Sequence, residues 1–352
     1  MAYTTINDPS AQFQIVLYTG SSSSVSPTFT GNANLQPDMM WIKSRSGATN
    51  QNLYDSSRGS TERLYPNLTS QTDTVSGMTF NSDGFTTGTN SVGDINVDGS
   101  TYVGWGWKCN GGTTSSNSDG TITATVQANT TAGLSIITYA GNGYNNATVG
   151  HGLGATPKII ITKNRTATYN WITYFSELAA TKVLVLDMDL AEFTPSGGYY
   201  SNVGSSTYQL VQGSSNLTNV NASGNNYVAY CFAEKQGYNK FGSYTGNGDV
   251  DGPFVYCGFK PAWVMTKNTS HAGGWAIMDA TRNPYNVMNK YIIANTADAE
   301  ASGSSFDIDT TATGFKIRAS NANINADGRT YMFMAFARQP LVGTNNVAAT
   351  AQ

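Results

Sequence analysis

Charge is scarce in this sequence. Of its 352 residues only 12% are Asp, Glu, Lys or Arg, and the net charge is -3. With no basic field and no local Lys/Arg cluster, nothing offers to hold nucleic-acid phosphates, so nucleic acid is not an expected partner. Histidine is scarcer still. His151 and His271 lie in different repeats in turn-like surroundings, which gives neither a metal-ligand spacing nor a nucleophile-base pair, and both are expected as surface or turn residues. The three cysteines, Cys109, Cys231 and Cys257, cannot all pair within one chain and are expected as reduced thiols. No apolar run approaches the roughly 20 residues that span a bilayer, so no membrane partner is expected. The opening Met1-Ala-Tyr-Thr-Thr-Ile lacks the basic and apolar regions of a secretory signal, which predicts synthesis in the cytoplasm. Helix-favouring Glu, Lys and Leu are few.

What is present is Gly, Ser, Thr and Asn, with Tyr, Phe and Trp at 11%. That is the composition of short strands joined by many turns. The pattern also recurs. Tyr18-Thr-Gly20, Tyr139-Ala-Gly141 and Tyr244-Thr-Gly246 each precede a Pro that is followed, six positions on, by a Lys: Pro37 and Lys43, Pro157 and Lys163, Pro261 and Lys267. Each copy closes on a Tyr-led apolar segment with a large aromatic five positions later: Tyr102 with Trp107, Tyr227 with Phe232, Tyr331 with Phe336. Three anchors in one order define a unit of about 105 to 120 residues, present three times.

The Pro-to-Lys segments read as strands that begin on a residue with no N–H to offer. Trp171 and Trp275 lie eight residues past their Lys; Gln51 holds that place in copy one, where Leu53 and Tyr54 are expected to supply the apolar surface instead. The closing segment Tyr331 to Ala337 is apolar on both faces, so it belongs in the middle of a sheet, covered on each side by another layer or a neighbouring domain. The expected fold is all-β: three tandem antiparallel β-sandwich repeats of jelly-roll or lectin-like type. The copies divide as 1–110, 133–237 and 238–343, with a Gly/Ser/Thr-rich linker with a possible strand at 111–132 and a C-terminal tail at 344–352. The short second junction predicts that copies two and three are held to each other more rigidly than to copy one.

Candidate chemistry is thin. Asp55-Ser-Ser-Arg58 and Asp279-Ala-Thr-Arg282 occupy equivalent positions; a turn in which Asp accepts backbone donors and pairs with Arg explains them better than a catalytic carboxylate, because copy two has Phe175 and Leu178 there. Asp249 and Asp251 could offer oxygen ligands to Ca²⁺, though without the spacing of a helix-loop-helix hand. Tyr144, Tyr169, Tyr199, Tyr200 and Tyr285 stand in loop-like positions and are the candidates for stacking on a sugar, against the plainer reading that such residues cover a core or an interface. No residue is expected to be catalytic.

The repeat anchors carry a resemblance. Met1-Ala-Tyr-Thr-Thr-Ile-Asn-Asp-Pro-Ser10, Tyr18-Thr-Gly20, Tyr102 to Lys108 with Asn110-Gly-Gly-Thr-Thr114, Thr148 to Gly154 through Pro157 and Lys163 to Arg165, and Phe241 to Gly248 together resemble a family of uncharacterised tandem-repeat structural proteins of marine tailed bacteriophages, described as tail-fibre or lectin-like. The likeness covers nearly the whole chain and brings no catalytic residues with it. It implies a virion component, an appendage of tail or capsid surface, with other virion proteins and a host-surface glycan as partners and a homo-oligomer, preferably a trimer, as its state. A bacterial adhesin or carbohydrate-binding module shares such domains but needs an export route. A glycan-cleaving tailspike needs paired carboxylates in one groove, which the sequence does not single out.

Overall fold

The computed structural model describes residues 4–75, 78–89, 95–196, 198–211 and 219–342. The C-terminal tail, 344–352, lies outside them. Among the described residues the chain is all-β, with a single short 3-10 turn at Pro9–Ala11. Each copy forms a sandwich-like unit with one large antiparallel sheet and a small one of two or three strands.

The large sheets share one plan. An opening strand (Phe13–Thr19, Leu134–Ala140, Asn239–Thr245), an anchor strand carrying the Lys (Met39–Ser44, Ile159–Asn164, Phe259–Asn268) and a closing strand (Thr101–Trp107, Asn226–Phe232, Thr330–Pro340) lie side by side, the closing strand in the middle. The register repeats as well. Met39 pairs with Trp107, Ile159 with Phe232 and Trp263 with Phe336, each two residues past the repeat Pro. Pro37 and Pro157 stand just before their strands, whereas Pro261 lies inside its longer strand, at a bulge that accommodates the missing N–H.

Both faces of every closing strand are dry, for different reasons. Alternate residues Tyr227, Ala229 and Cys231 pack under copy two's own small sheet, while Val228, Tyr230 and Phe232 point into a core to which all three copies contribute. Copies one and three repeat the division with Val103, Trp105 and Trp107, and with Met332, Met334 and Phe336, on the shared side. The large sheets therefore surround one aromatic centre, where only a void of about 20 Å³ remains between Trp41, Trp107, Trp171 and Trp263. Copy one contributes to this centre as the other two copies do. The stretch 111–132 is no free spacer either. Its strands Ser115–Asn117 and Ala124–Asn129 extend the sheet of copy two.

The Tyr-x-Gly motif is explained at the sheet ends. Tyr18 stacks on Tyr102, Tyr139 on Tyr227 and Tyr244 on Tyr331, with ring centroids 5.0 to 5.1 Å apart. The adjoining glycines pass so close to a facing loop that a Cβ would sit 2.2 Å from the Val97 carbonyl oxygen at Gly20 and 2.3 Å from that of Ala222 at Gly141.

Candidate functional site

Most of the polar residues singled out by the repeats sit at the junctions between copies. Trp171 Nε1 donates to the carbonyls of Tyr65 and Leu68 in copy one, at 2.9 and 3.1 Å, and Trp275 Nε1 donates to those of Val185 and Met188 in copy two, at 3.0 and 3.2 Å. Gln51 closes the cycle with Nε2 3.0 Å from the Ile293 carbonyl of copy three. The bulk that Gln51 lacks comes from Trp41, which stands where the other copies have Ile161 and Met265 and donates from Nε1 to Gln51 Oε1 at 2.8 Å. Of the two residues expected to supply apolar surface there, Leu53 does join the shared centre, while Tyr54 enters the core of copy one.

The repeat lysines are also buried. Lys163 Nζ donates to the Thr69 carbonyl at 2.7 Å and to that of Tyr169, and Lys267 Nζ donates to the Asn268 carbonyl at 2.7 Å and the Asp189 carbonyl at 3.3 Å. Burial pulls both ammonium groups down to about 8. Both Asp-Arg turns form as expected: Arg58 N and Arg282 N donate to Asp55 Oδ1 and Asp279 Oδ1, and each guanidinium pairs with its carboxylate. Unexpectedly, the pairs are fully buried and shared with the next copy, through Tyr230 Oη to Asp55 at 2.6 Å and Trp105 Nε1 to Asp279 at 3.1 Å. At the third junction the equivalent positions are Phe175 and Met334, both apolar. Glu300 adds a clamp between copies three and one, bidentate to Arg45 at 2.9 Å and 3.3 Å from Arg282.

The residues proposed for ligand contact do not converge. Tyr144 and Tyr285 are exposed, at 73% and 76%, but belong to different copies, and Tyr169 is half-buried. Tyr199 and Tyr200 are not loop residues open to a sugar. They are buried in the core of copy two, where Tyr200 packs edge-on against Tyr174 and Tyr208 and Tyr199 Oη accepts from Asn219. His151 is buried as well, not at the surface. Its ring accepts from Leu153 N and meets the Gly204 carbonyl at 3.1 Å, and burial lowers its pKa. His271 is exposed. The three cysteines are buried and free, each in a different core cluster. Asp251 pairs with Lys316 and Arg318 at 3.0 and 3.2 Å, and Asp249 accepts from the Asp251 backbone N–H. Among the described residues no group of three or more His, Cys, Asp or Glu could hold a metal ion.

Two concave places were not visible in the sequence. The first, about 670 Å³ between copies two and three, is lined by Asp187, Asp189, Asp298, Asn295, Tyr291 and neighbours. One of these acids, Asp187, is taken up by the backbone and side chain beside it. Asp187 Oδ1 accepts from Trp171 N at 2.8 Å, the role Asn67 plays for Gln51 and Asn295 for Trp275, and its Oδ2 accepts from Asn170. Burial raises the Asp187 pKa. A carboxyl that holds its proton more tightly when folded weakens the fold once ionised, a penalty that vanishes below the unfolded pKa. Asp187→Asn is therefore expected to raise the melting temperature at pH 7, with the gain vanishing near pH ~4. The Asn170 amide has only to turn over, as in copy one, where Asn67 Nδ2 donates to Asn50 Oδ1. A lower melting temperature at pH 7 would mean that the carboxylate itself is required.

The second is a groove of about 260 Å³ along the opening strand of copy three, which ends its sheet, and the small-sheet strand Phe254–Tyr256. Phe254 and Tyr256, 48% and 55% exposed, project from the same side of that strand. Glu177 of copy two reaches the rim and accepts from Ser243 Oγ at 2.8 Å. The alternation Phe-Val-Tyr was the signal for this pair, and it exists only in copy three.

The family model of a domain of unknown function, DUF7483, matches residues 8–340. No curated protein and no solved structure matches the chain. One domain spanning all three copies is what a single shared centre requires, and the chain belongs to the DUF7483 family.

Proposed function

We propose that the chain is a non-enzymatic structural protein of a tailed-bacteriophage virion, an appendage of tail or capsid surface. The observation that carries this reading is how the repeated ionisable residues are used. Asp55, Asp279, Lys163 and Lys267 hold copy to copy inside a dry body, which is a role in assembly and rigidity. The resemblance at the repeat anchors supports the particle context. Apolar faces of the three copies are buried against one another within one chain, and other virion proteins and further copies of the chain are the partners to look for.

Host-surface glycan is the ligand class that the exposed pair Phe254 and Tyr256 suits, because neighbouring aromatic faces in a polar-rimmed groove stack on sugar rings. Purified particles analysed by mass spectrometry are expected to contain the chain in several copies, and antibodies against it to decorate tail or capsid. Host polysaccharide should retain the wild-type chain and release Tyr256→Ala. Absence from washed particles removes the virion reading, and cleavage of the polysaccharide by the isolated chain replaces it with a depolymerase.

A further inference from the structure

The cavity between copies two and three is built from residues that the repeat does not require. In every copy one side chain accepts the backbone N–H eight residues past the repeat Lys: Asn67 for Gln51, Asp187 for Trp171 and Asn295 for Trp275, at 2.8 to 2.9 Å. Asn does this in copies one and three, so the fold has no need of a carboxylate there. The acid stands only in copy two, where it both caps Trp171 and lines the cavity. Its oxygens accept from Trp171 N and Asn170 Nδ2, and a carboxylate has about four acceptor sites, so capacity is left for a ligand.

The opposite wall departs from the repeat as well. Ile292, Leu184 and Leu64 pair with the equivalent residues Ile277, Thr173 and Leu53, which makes Tyr291 the counterpart of Val183 and Arg63. Val183 is buried and Arg63 is bound to Asp73, whereas Tyr291 is half-buried, lines the cavity and rests against Phe306 with ring centroids 4.5 Å apart. Gly273-Gly274 stands where copies one and two have Thr49-Asn50 and Tyr169-Asn170. Asn50 and Asn170 bond the capping side chains Asn67 and Asp187 at 2.9 Å. Gly274 has no side chain to do this for Asn295, and among the described residues Asn295 Nδ2 has no partner. An amide donor is thus left at the wall, oriented by the bond that its own Oδ1 accepts from Trp275 N. A Cβ on Gly274 would sit 2.7 Å from Ile293 Cγ2, so packing keeps this side of the cavity clear.

The chemistry of these walls selects a ligand. Tyr291, Phe306 and Ile293 supply an apolar surface, Asn295 Nδ2 donates, and Asp187 accepts. A pyranose satisfies that pattern, with C–H groups on one face and hydroxyls that both donate and accept around its edge. The volume of about 670 Å³ among the described residues lies within the ~300–1,000 Å³ usual for small-molecule sites. No Lys or Arg is among the lining residues, and Glu300, between two lining alanines, is paired with Arg45 and Arg282. A sugar acid or a phosphate would meet Asp187, Asp189 and Asp298 with no cation in the lining to offset them.

We propose that the cavity between copies two and three binds a neutral pyranose, its ring against Tyr291 and its hydroxyls shared between Asn295 Nδ2 and the Asp187 carboxylate. No lining residue is common to this cavity and the groove of Phe254 and Tyr256, so the two sites stand or fall separately.

Calorimetric titration of the full chain with the methyl glycosides of mannose, galactose, glucose and N-acetylglucosamine tests this. At least one is expected to bind saturably, in the Tyr256→Ala chain as in the wild type, and glucuronate is not. Tyr291→Val, which installs the residue of copy two, and Asp187→Asn, which installs that of copy one, should each weaken binding by about tenfold or more. Asp187→Asn should do so while raising the melting temperature, a combination that a purely structural carboxylate would not produce. Failure of all four glycosides to bind would overturn the proposal, as would affinity that survives both substitutions or glucuronate bound as tightly as the neutral sugars. Binding lost in Tyr256→Ala would overturn it by placing the sugar in the groove. Putrescine bound more tightly than any glycoside, with the same dependence on Asp187, would overturn it by making the cavity an amine site.

Discussion

Asp55→Ala is expected to remove about 3–5 kcal/mol of folding stability, far more than a surface ion pair is worth. Arg58 would remain fully buried with its carboxylate gone, and Tyr230 of the next copy would lose the acceptor 2.6 Å from its hydroxyl. Denaturant unfolding measures the loss. The protein contains its own control, because the third junction shows what evolution puts in place of the charges: Phe175, Leu178 and Met334 at the positions of Asp55, Arg58 and Tyr230. The triple variant Asp55→Phe, Arg58→Leu, Tyr230→Met should recover most of that stability, since well-packed apolar groups commonly match or exceed a buried ion pair. If the single variant costs less than about 1 kcal/mol, water reaches Arg58 and the junction is not dry.

Phe336→Ala should cost a similar amount, about 3–5 kcal/mol, by a different mechanism. The ring lies at the middle of the shared centre, with Phe13, Trp107 and Trp263 within 5.2 to 5.6 Å and Phe232, Tyr238 and Phe241 at about 6 Å. Those neighbours come from three large sheets that brace one another, so the hole cannot collapse cheaply. Scanning calorimetry should show one transition at lower temperature. Separate transitions for the copies would mean that the centre does not couple them.

Much of the architecture was legible because it is periodic. Strands apolar on both faces, such as Tyr331 to Ala337, announced a covering on each side, and both alternatives then open, a second layer and a neighbouring domain, are present at once. The Asp-Arg turns were legible for the same reason: Asp accepting the N–H three residues on is a local event. What could not be read depends on distances across the junctions. The exchange of a large ring between Gln51 and Trp41 keeps the centre filled but moves bulk between two strands, and each position alone looks like a loss or an oddity. Tyr199 and Tyr200 sit beside glycines and resemble a loop until Tyr174 and Tyr208 are seen to enclose them. One clue was within reach. Copy two lacks Asp and Arg where copy three has Met334 rather than Tyr or Trp, a correlated pair that would have tied those two strands together.

The shared centre also sets an order of events during synthesis. Trp105 and Trp107 leave the ribosome more than two hundred residues before Phe336, the ring that packs against Trp107. At ~20 residues per second that interval lasts roughly 10 s or longer. Copy one can fold its own small core in that time, but its inner aromatic face stays wet and open to capture by a neighbouring nascent chain. The copy made last is the one that dries the first.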